Sequence, residues 1–283
     1  MNLDEVRAGI DRVDGQIKAL FIERMELADH VARIKAETSD EIYKPEREEA
    51  IIKKNSDGMA SNVKMEYTAL IKRIMEVSRK YQYGRTLEIR HCFPFSYETA
   101  MPSLNQVAMV KSQLYLCSGI SRDQVTAVDT FDQVGDLVQN GTVDAGMGVM
   151  EEIGKRTNDE LNTMLMRKNL YINDCTILSE NGRMIKLVTF SKNLVVTEAH
   201  NRLKLLFVCP NKSGSLGSIL CQIADYGVNL TEIHSRPNGE KENWNYEFYV
   251  ELSLNLLQKD AQALLFQLSK ETAYLQILGS FTV

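Results

Sequence analysis

Along the first stretch of the chain, apolar residues fall at Leu3, Val6, Ile10, Val13, Ile17, Leu20, Leu27, Val31 and Ile34. The steps run in threes and fours, the seam of a heptad helix. At 1.5 Å per residue such a helix spans roughly 50 Å. It cannot bury its seam alone, so it needs a copy of itself or the helices that follow. A second helix is predicted from Lys44-Pro45-Glu46, with proline at the first helical position and acids in the first turn. A third is predicted from Lys64 to Gln82, with Tyr67, Leu70, Ile71, Ile74 and Val77 on its buried side. Residues 84–200 mix strand-like runs (Gln124–Val128, Leu187–Phe190) with helical stretches. From Leu203 onward the pattern reads strand, helix (Leu216–Tyr226), strand (Asn229–Ser235), strand (Asn245–Leu252), helix (Lys259–Ser269), strand. That is βαββαβ, a split βαβ sandwich with helices on one face.

The 283 residues are too many for one small domain. The changes of texture predict a multidomain chain divided at 1–83, 84–200 and 201–283. A formal charge of −5 argues against a general nucleic-acid binder. The five cysteines (92, 117, 175, 209, 221) are scattered without a CxxC pair, which predicts reduced thiols and neither disulfides nor zinc. No apolar run approaches membrane-spanning length, and the first residues lack the features of a signal peptide, so a cytoplasmic protein without a membrane partner is expected.

The anomaly is Arg24, in the seam between Leu20 and Leu27 where an aliphatic residue belongs. A buried unpaired guanidinium is costly, so something anionic should meet it. Lys35 lies eleven residues on, about 20° around the helix and roughly 16 Å along it, so both cations can converge on one small dianion. Arg7 is about 25 Å from Arg24 along the same helix. It can serve that site only from an antiparallel partner, which would make the site shared in a dimer. Arg47 and Glu48 stand in the first turn of the second helix, where backbone N–H groups favour anions. Ser78 and Gln82 continue the line of Ile71 and Ile74 with polar groups. Arg24 alone reads equally as a register-setting residue of a coiled coil; Lys35, Arg47 and Glu48 taken singly read as solvated helix charges, and Ser78 and Gln82 as interhelical hydrogen bonders. Together they offer cations and neutral donors with one carboxylate, and no nucleophile, metal cluster or acid/base pair. Such a set suits a cofactor-free reaction in which a dianion is clamped in a compact conformer while an oxygen gains charge, as in a pericyclic rearrangement of an enol ether dicarboxylate.

The run Arg7-Ala8-Gly9-Ile10-Asp11-Arg12-Val13-Asp14, then Glu23-Arg24-Met25-Glu26-Leu27-Ala28, Lys35, Tyr43-Lys44-Pro45-Glu46-Arg47-Glu48, and Ser78 with Gln82 resembles the all-helical chorismate mutases. The resemblance implies that Arg24, Arg47 and a partner subunit's copy of Arg7 hold the substrate carboxylates. It implies that Lys35 and Gln82 donate to the ether oxygen, with Glu48 on the ring hydroxyl and Ser78 nearby. Lys44 departs from the family, which often carries Asp there.

Residues 203–283 resemble an ACT domain of the type that follows prephenate dehydratase. Gly214-Ser215-Leu216-Gly217 stands where the family has Gly-Ala-Leu-Val at the start of a helix, and His234-Ser235-Arg236-Pro237 where it has Glu-Ser-Arg-Pro. Tyr246-Glu247-Phe248-Tyr249 matches the aromatic strand that follows. This implies an α+β domain that binds phenylalanine between two copies, with Gly214, Ser215, Leu216, Ser235, Arg236 and Pro237 at the effector; His234 departs from the family's Glu.

A mutase and such an ACT domain imply a prephenate dehydratase between them. Val143–Val149 and Leu187–Lys192 resemble two of its strands, but its Thr-Arg-Phe becomes Ile185-Lys186-Leu187 and its Pro-Ile-Glu-Asn-Thr-Ser loop becomes Val149-Met150-Glu151-Glu152-Ile153-Gly154. The segment is also short for two lobes. A truncated, degenerate α/β dehydratase-like domain is therefore expected, without a group to protonate the leaving hydroxyl. His91, Cys92 and Ser96 read as scattered residues rather than a nucleophilic site. Besides a mutase with phenylalanine sensing, two alternatives stay open: a bifunctional mutase/dehydratase with a divergent second site, and a non-catalytic regulator that binds chorismate or an amino acid.

Overall fold

The computed structural model describes residues 2–117, 120–238 and 245–283. They form two compact units, Met1–Phe93 with Ala263–Glu271, and Pro94–Gln262 with Thr272–Val283.

In the first unit, α1 (Leu3–Thr38) starts at a capping box, in which Asn2 Oδ1 accepts the Glu5 N–H and the Glu5 carboxylate accepts the Asn2 N–H, both at 2.9 Å. α2 (Pro45–Ser56) opens on its proline as expected. α3 (Lys64–Arg90) closes at His91, whose left-handed backbone lets its N–H reach the Leu87 carbonyl. It outruns its expected end at Gln82 by about two turns. The break expected at 83/84 thus falls inside a helix, because the single Gly84 costs a helix only about 1 kcal/mol and stops nothing.

α1 lies along α3. The residues that α1 buries are Ala28, Ala32 and Ala36, four apart, which is a strip small enough for close helix approach. The heptad seam points elsewhere: Ile10, Ile17, Leu20, Leu27 and Ile34 are all exposed, Leu20 at 65%. The buried face of α3 is also displaced from the predicted one. It carries Met75, Ser78, Arg79, Tyr83 and Thr86, while Leu70 is exposed. The face is set by polar partners and by Tyr83, which meets Phe266 of α7 (Lys259–Glu271) edge-on at 5.7 Å. An apolar stripe alone did not reveal it.

The second unit is built on one sheet of ten strands among the described residues. The strands are β1 (Val107–Val110), β2 (Val125–Val128), β3 (Ala145–Glu152), β4 (Arg156–Thr157), β5 (Tyr171–Glu180), β6 (Arg183–Ser191), β7 (Arg202–Pro210), β8 (Asn229–Asn238), β9 (Asn245–Ser253) and β10 (Tyr274–Phe281). Their order is β2-β1-β3-β6-β5-β10-β7-β9-β8, with β4 beside β3. Three strands separate β6 from β9, roughly 19 Å along a flat sheet. Yet Lys186 Nζ on β6 meets Glu251 Oε2 on β9 at 2.6 Å. The sheet therefore folds over on itself. The shortest ladder on the path from β6 to β9 is the β5–β10 junction, the single pair Gly279–Ile172. A Cβ on Gly279 would lie 2.3 Å from the Ile172 carbonyl oxygen, so only glycine permits that approach.

Helices α4 (Phe131–Gln139) and α5 (Asp159–Lys168) supply Phe131, Val134, Val138, Leu161, Met164 and Leu165 to a core shared with Val188, Phe190 and Phe281. The chain from β7 through α6 (Ser215–Asp225), β8, β9 and α7 to β10 follows the expected βαββαβ order, with strands arranged β10-β7-β9-β8. The break expected at 200/201 falls between β6 and β7, two strands of the same sheet.

Candidate active site

The sequence-selected cations of α1 turn toward α3 and the α1–α2 connection rather than along the exposed seam. Arg24 Nη1 donates to the Ser78 hydroxyl and, at 3.4 Å, to the Ile74 carbonyl. Its partners are thus neutral and not the expected anion, although the charge of Glu48 reaches it. Burial holds the Arg24 pKa below its ordinary value and the Glu48 carboxylate works against that. Ser78 is buried on α3 and also lies 3.7 Å from Met25 Sδ.

Lys35 Nζ donates to the carbonyls of Glu41 at 2.7 Å and Ile42 at 3.1 Å, so it fastens the end of α1 to the connection that leads into α2. Burial lowers its pKa first; Asp40 and Glu48 oppose this, while Lys44 and Arg47 add to it. A cation so placed is partly desolvated and short of anionic partners, a state that an incoming dianion would relieve. Lys44 pairs with Asp40 at 2.7 Å. Arg47 is exposed in the first turn of α2, and Gln82 is half-buried one turn beyond Ser78. Arg24 thus meets Ser78 directly, while the charge of Glu48 acts on both Arg24 and Lys35 and that of Arg47 on Lys35. Arg7 is not among them. It is exposed near the start of α1 and lies 3.6 Å from Asp4.

Sequence reading missed Arg79. Its side chain is 7% exposed, and Nη1 donates to Glu48 Oε2 at 2.5 Å while Nε and Nη2 donate to the two carboxylate oxygens of Glu271 at 3.0 and 3.2 Å. Its face stacks over the Tyr43 ring at 4.6 Å. Burial alone would lower the Arg79 pKa, and the carboxylates of Glu271 and Glu48 outweigh it, so the guanidinium stays charged. Burial raises the Glu271 pKa against the pull of Arg79. The signal was available: a charged residue four from Met75 and four from Tyr83 stands in a helix face otherwise apolar or neutral. A second brace joins α1 to α3 through Asp29, which accepts from Arg33 at 2.7 Å, Arg85 at 2.8 Å and Tyr81 at 3.2 Å. Hydrogen bonds from Arg33 and Arg85 hold its pKa down at about 2.

In the second unit Gly214 caps α6 in a left-handed conformation, followed by Ser215 and Leu216 in the first turn. On β8 successive side chains alternate in direction. His234 and Arg236 share one side, where His234 Nε2 is 3.1 Å from Asp159 and Arg236 reaches Thr163 at 2.7 Å and Glu247 at 2.7 Å. Ser235 and Pro237 are exposed on the other. The structure therefore does not bring Ser235, Arg236 and Pro237 to one face. Lys186, in the Ile185-Lys186-Leu187 run, is buried against Glu251. His91 ends α3, Cys92 is half-buried and Ser96 is exposed. Among the described residues no cluster of His, Cys, Asp or Glu stands ready to hold a metal ion, and no helix is long and apolar enough to cross a membrane.

Residues 6–83 match the family model of chorismate mutase type II. The chain thus carries a mutase-family domain that coincides with the helices holding Arg7 through Gln82. Two curated relatives extend the kinship to prephenate dehydratases. A bifunctional chorismate mutase/prephenate dehydratase of Aquifex aeolicus is 27% identical over 105 residues, 37% of this chain and 29% of its own length. A prephenate dehydratase of Methanocaldococcus jannaschii is 27% identical over 131 residues, 46% of this chain and 45% of its own length. The chain thus spans less than half of each of these relatives.

Solved structures share the fold. A protein described as a novel type of quorum quenching acylase aligns with TM-score 0.53 at 19% identity, over 63% of this chain and 95% of its own. The prephenate dehydratase of Streptococcus mutans aligns with TM-score 0.52 at 15% identity, over 62% and 97%. That of Arthrobacter aurescens, solved in complex with L-Phe, aligns with 0.51 at 13%, over 62% and 90%.

Proposed function

We propose that this protein is a chorismate mutase that converts chorismate to prephenate by a [3,3] rearrangement in phenylalanine biosynthesis, without a cofactor and as a homodimer or larger homo-oligomer. What supports the reading is that Arg24 bonds Ser78 and that the charge of Glu48 acts on both Arg24 and Lys35, all within the segment that matches the mutase family. Arg24 and Arg47 take the carboxylates, with Arg7 of a second copy completing the clamp. Lys35 and Gln82 donate to the ether oxygen as its bond to carbon breaks and negative charge grows there. Donors fixed before the reaction stabilise that charge without reorganising. Glu48 accepts from the ring hydroxyl. The bonds are exchanged within the substrate, so no side chain has to carry a proton or a covalent intermediate. The exposed seam of α1 supports the second copy: it is a continuous apolar strip that this chain's own helices leave uncovered.

The C-terminal βαββαβ region, on this reading, is an ACT domain that binds phenylalanine and regulates the mutase. The region before it is a reduced dehydratase-like domain with no dehydratase turnover. Burial of Lys186 in an ion pair with Glu251 supports that, since a neutralised cation is withdrawn from substrate.

Chorismate consumption and phenylpyruvate formation, each with and without added phenylalanine, test the whole. Wild type should consume chorismate and yield prephenate, and Lys35→Ala and Gln82→Ala should each lose about 100-fold or more in kcat. Equal rates in all three proteins would sink the mutase reading, and phenylpyruvate formed from prephenate would sink the reduced-domain reading.

A further inference from the structure

Arg79 and Glu271 belong to none of the roles above. Ser78 and Arg79 are consecutive on α3, about 100° apart around the helix. One meets Arg24, and the other meets Glu48, so a single helical turn addresses both the carboxylate clamp and the hydroxyl acceptor of the proposed site. Glu48 is bound through Oε2, and its side chain keeps 21% of its surface open. The other oxygen remains to accept from a ligand. What aims that carboxylate is the guanidinium plane. The plane in turn is fixed by the paired bonds to Glu271, 192 residues along the chain and 3% exposed, and by Tyr43 beneath it. A two-bond carboxylate–guanidinium pair sets orientation as well as charge, which a single point contact does not.

We propose that Arg79 is a positioning residue for Glu48 and that Glu271, on α7, holds Arg79 in the orientation that presents Glu48 to the substrate hydroxyl. The inference rests on the mutase reading and adds to it a residue outside the mutase-family segment on which substrate binding depends. Glu271→Gln leaves the guanidinium free to rotate toward Glu48 and away from its present plane. Glu48 already meets the substrate hydroxyl in the bound ground state, so its misalignment falls on KM more than on kcat.

The experiment is steady-state chorismate turnover by the full chain in wild type, Glu271→Gln, Arg79→Lys, Glu48→Gln and the two double variants with Glu48→Gln, alongside urea unfolding of each. KM should rise about tenfold in Glu271→Gln and in Arg79→Lys, the loss expected for a misaligned hydrogen bond to a charged group, with kcat within about twofold. In the Glu48→Gln background neither change should raise KM further by more than about twofold, because the residue being aimed is no longer a carboxylate. A merely structural ion pair would not show that dependence. An unchanged KM in a folded Glu271→Gln or Arg79→Lys, or the full tenfold effect persisting without Glu48, overturns the proposal while the mutase reading stands. Should Glu271→Gln fail to fold, Arg79→Lys carries the same comparison. A wild type that leaves chorismate untouched overturns both.

Discussion

At the scale of single residues, the buried charges of Arg79 and Glu271, with half-buried Glu48 beside them, show how strongly tertiary partners govern which side chains a helix hides. Arg79 sits with Glu48 and Glu271 as one cation between two anions, so the group carries a net negative charge under burial. Burial is the main cause that raises the Glu271 pKa; Arg79 opposes it, and the charge of Glu48 adds only a smaller push upward. Breaking such a set by removing the cation costs far more than removing an exposed pair. Arg79→Leu should lower the unfolding free energy by about 3–5 kcal/mol, read by urea denaturation. Lys111 with Asp129, an exposed pair 2.9 Å apart, should cost under about 1 kcal/mol when either is replaced. Equal losses at the two places would refute the distinction. Arg24 teaches the complementary lesson. Its place in the seam marked it as exceptional, but its partners, a hydroxyl and a carbonyl on α3, follow from helix packing and not from any local pattern.

At the scale of elements, the heptad of α1 specifies a helix and a sticky strip but not what covers the strip. Within the chain, α3 takes the alanine face and leaves the seam open. Both covers were compatible with the sequence, and only the packing of α3 on Ala28, Ala32 and Ala36 separates them. A second copy of α1 lying antiparallel would bury the seam and bring Arg7 to the far site. Ile17→Glu places a charge in the middle of that strip. Sedimentation equilibrium should find wild type as a dimer or larger and the variant as a monomer, with chorismate turnover falling alongside. A variant that stays associated and active would argue for another interface. The β5–β6 hairpin carries a local signature: Asn181-Gly182 between two strand-like runs is a strong two-residue turn signal, and both residues have positive φ, 49° and 76°. The end of α3 is less legible, because Gly84 weakens a helix without ending it and the real stop is His91.

At the scale of the whole molecule, the folded-over sheet of the second unit encloses ion pairs that no strand pattern foretells. Lys204 is 1% exposed and lies 3.1 Å from Glu232, which also accepts from Thr157 at 3.1 Å. Burial would raise the Glu232 pKa, yet Lys204 more than offsets it and the net shift is downward from 4.5. A carboxylate with a depressed folded pKa contributes stability above its unfolded value, and that contribution is lost as pH falls through the folded one. Unfolding free energy should therefore decline as pH drops below about 4.5. Glu232→Gln should flatten that limb while lowering stability at pH 7 by about 3 kcal/mol, since Lys204 is left buried and unpaired. Urea titrations across the acid range would show both effects, and an acid limb unchanged in the variant would assign the decline to other groups.

What the sequence determined by itself is local and periodic. It specified the helical character of α1 to α3, the proline start of α2, the order of the last six elements and the polar intrusions at Arg24, Lys35, Glu48 and Ser78, because spacing along a helix or strand decides which side chains share a face. The tertiary structure decided what those faces meet. It left the α1 seam open, buried Arg79 against a glutamate 192 residues away, and folded the sheet until Lys186 reached Glu251. Each of these depends on contacts between residues far apart in the chain, where burial and charge pairing outweigh any preference that neighbouring residues can express.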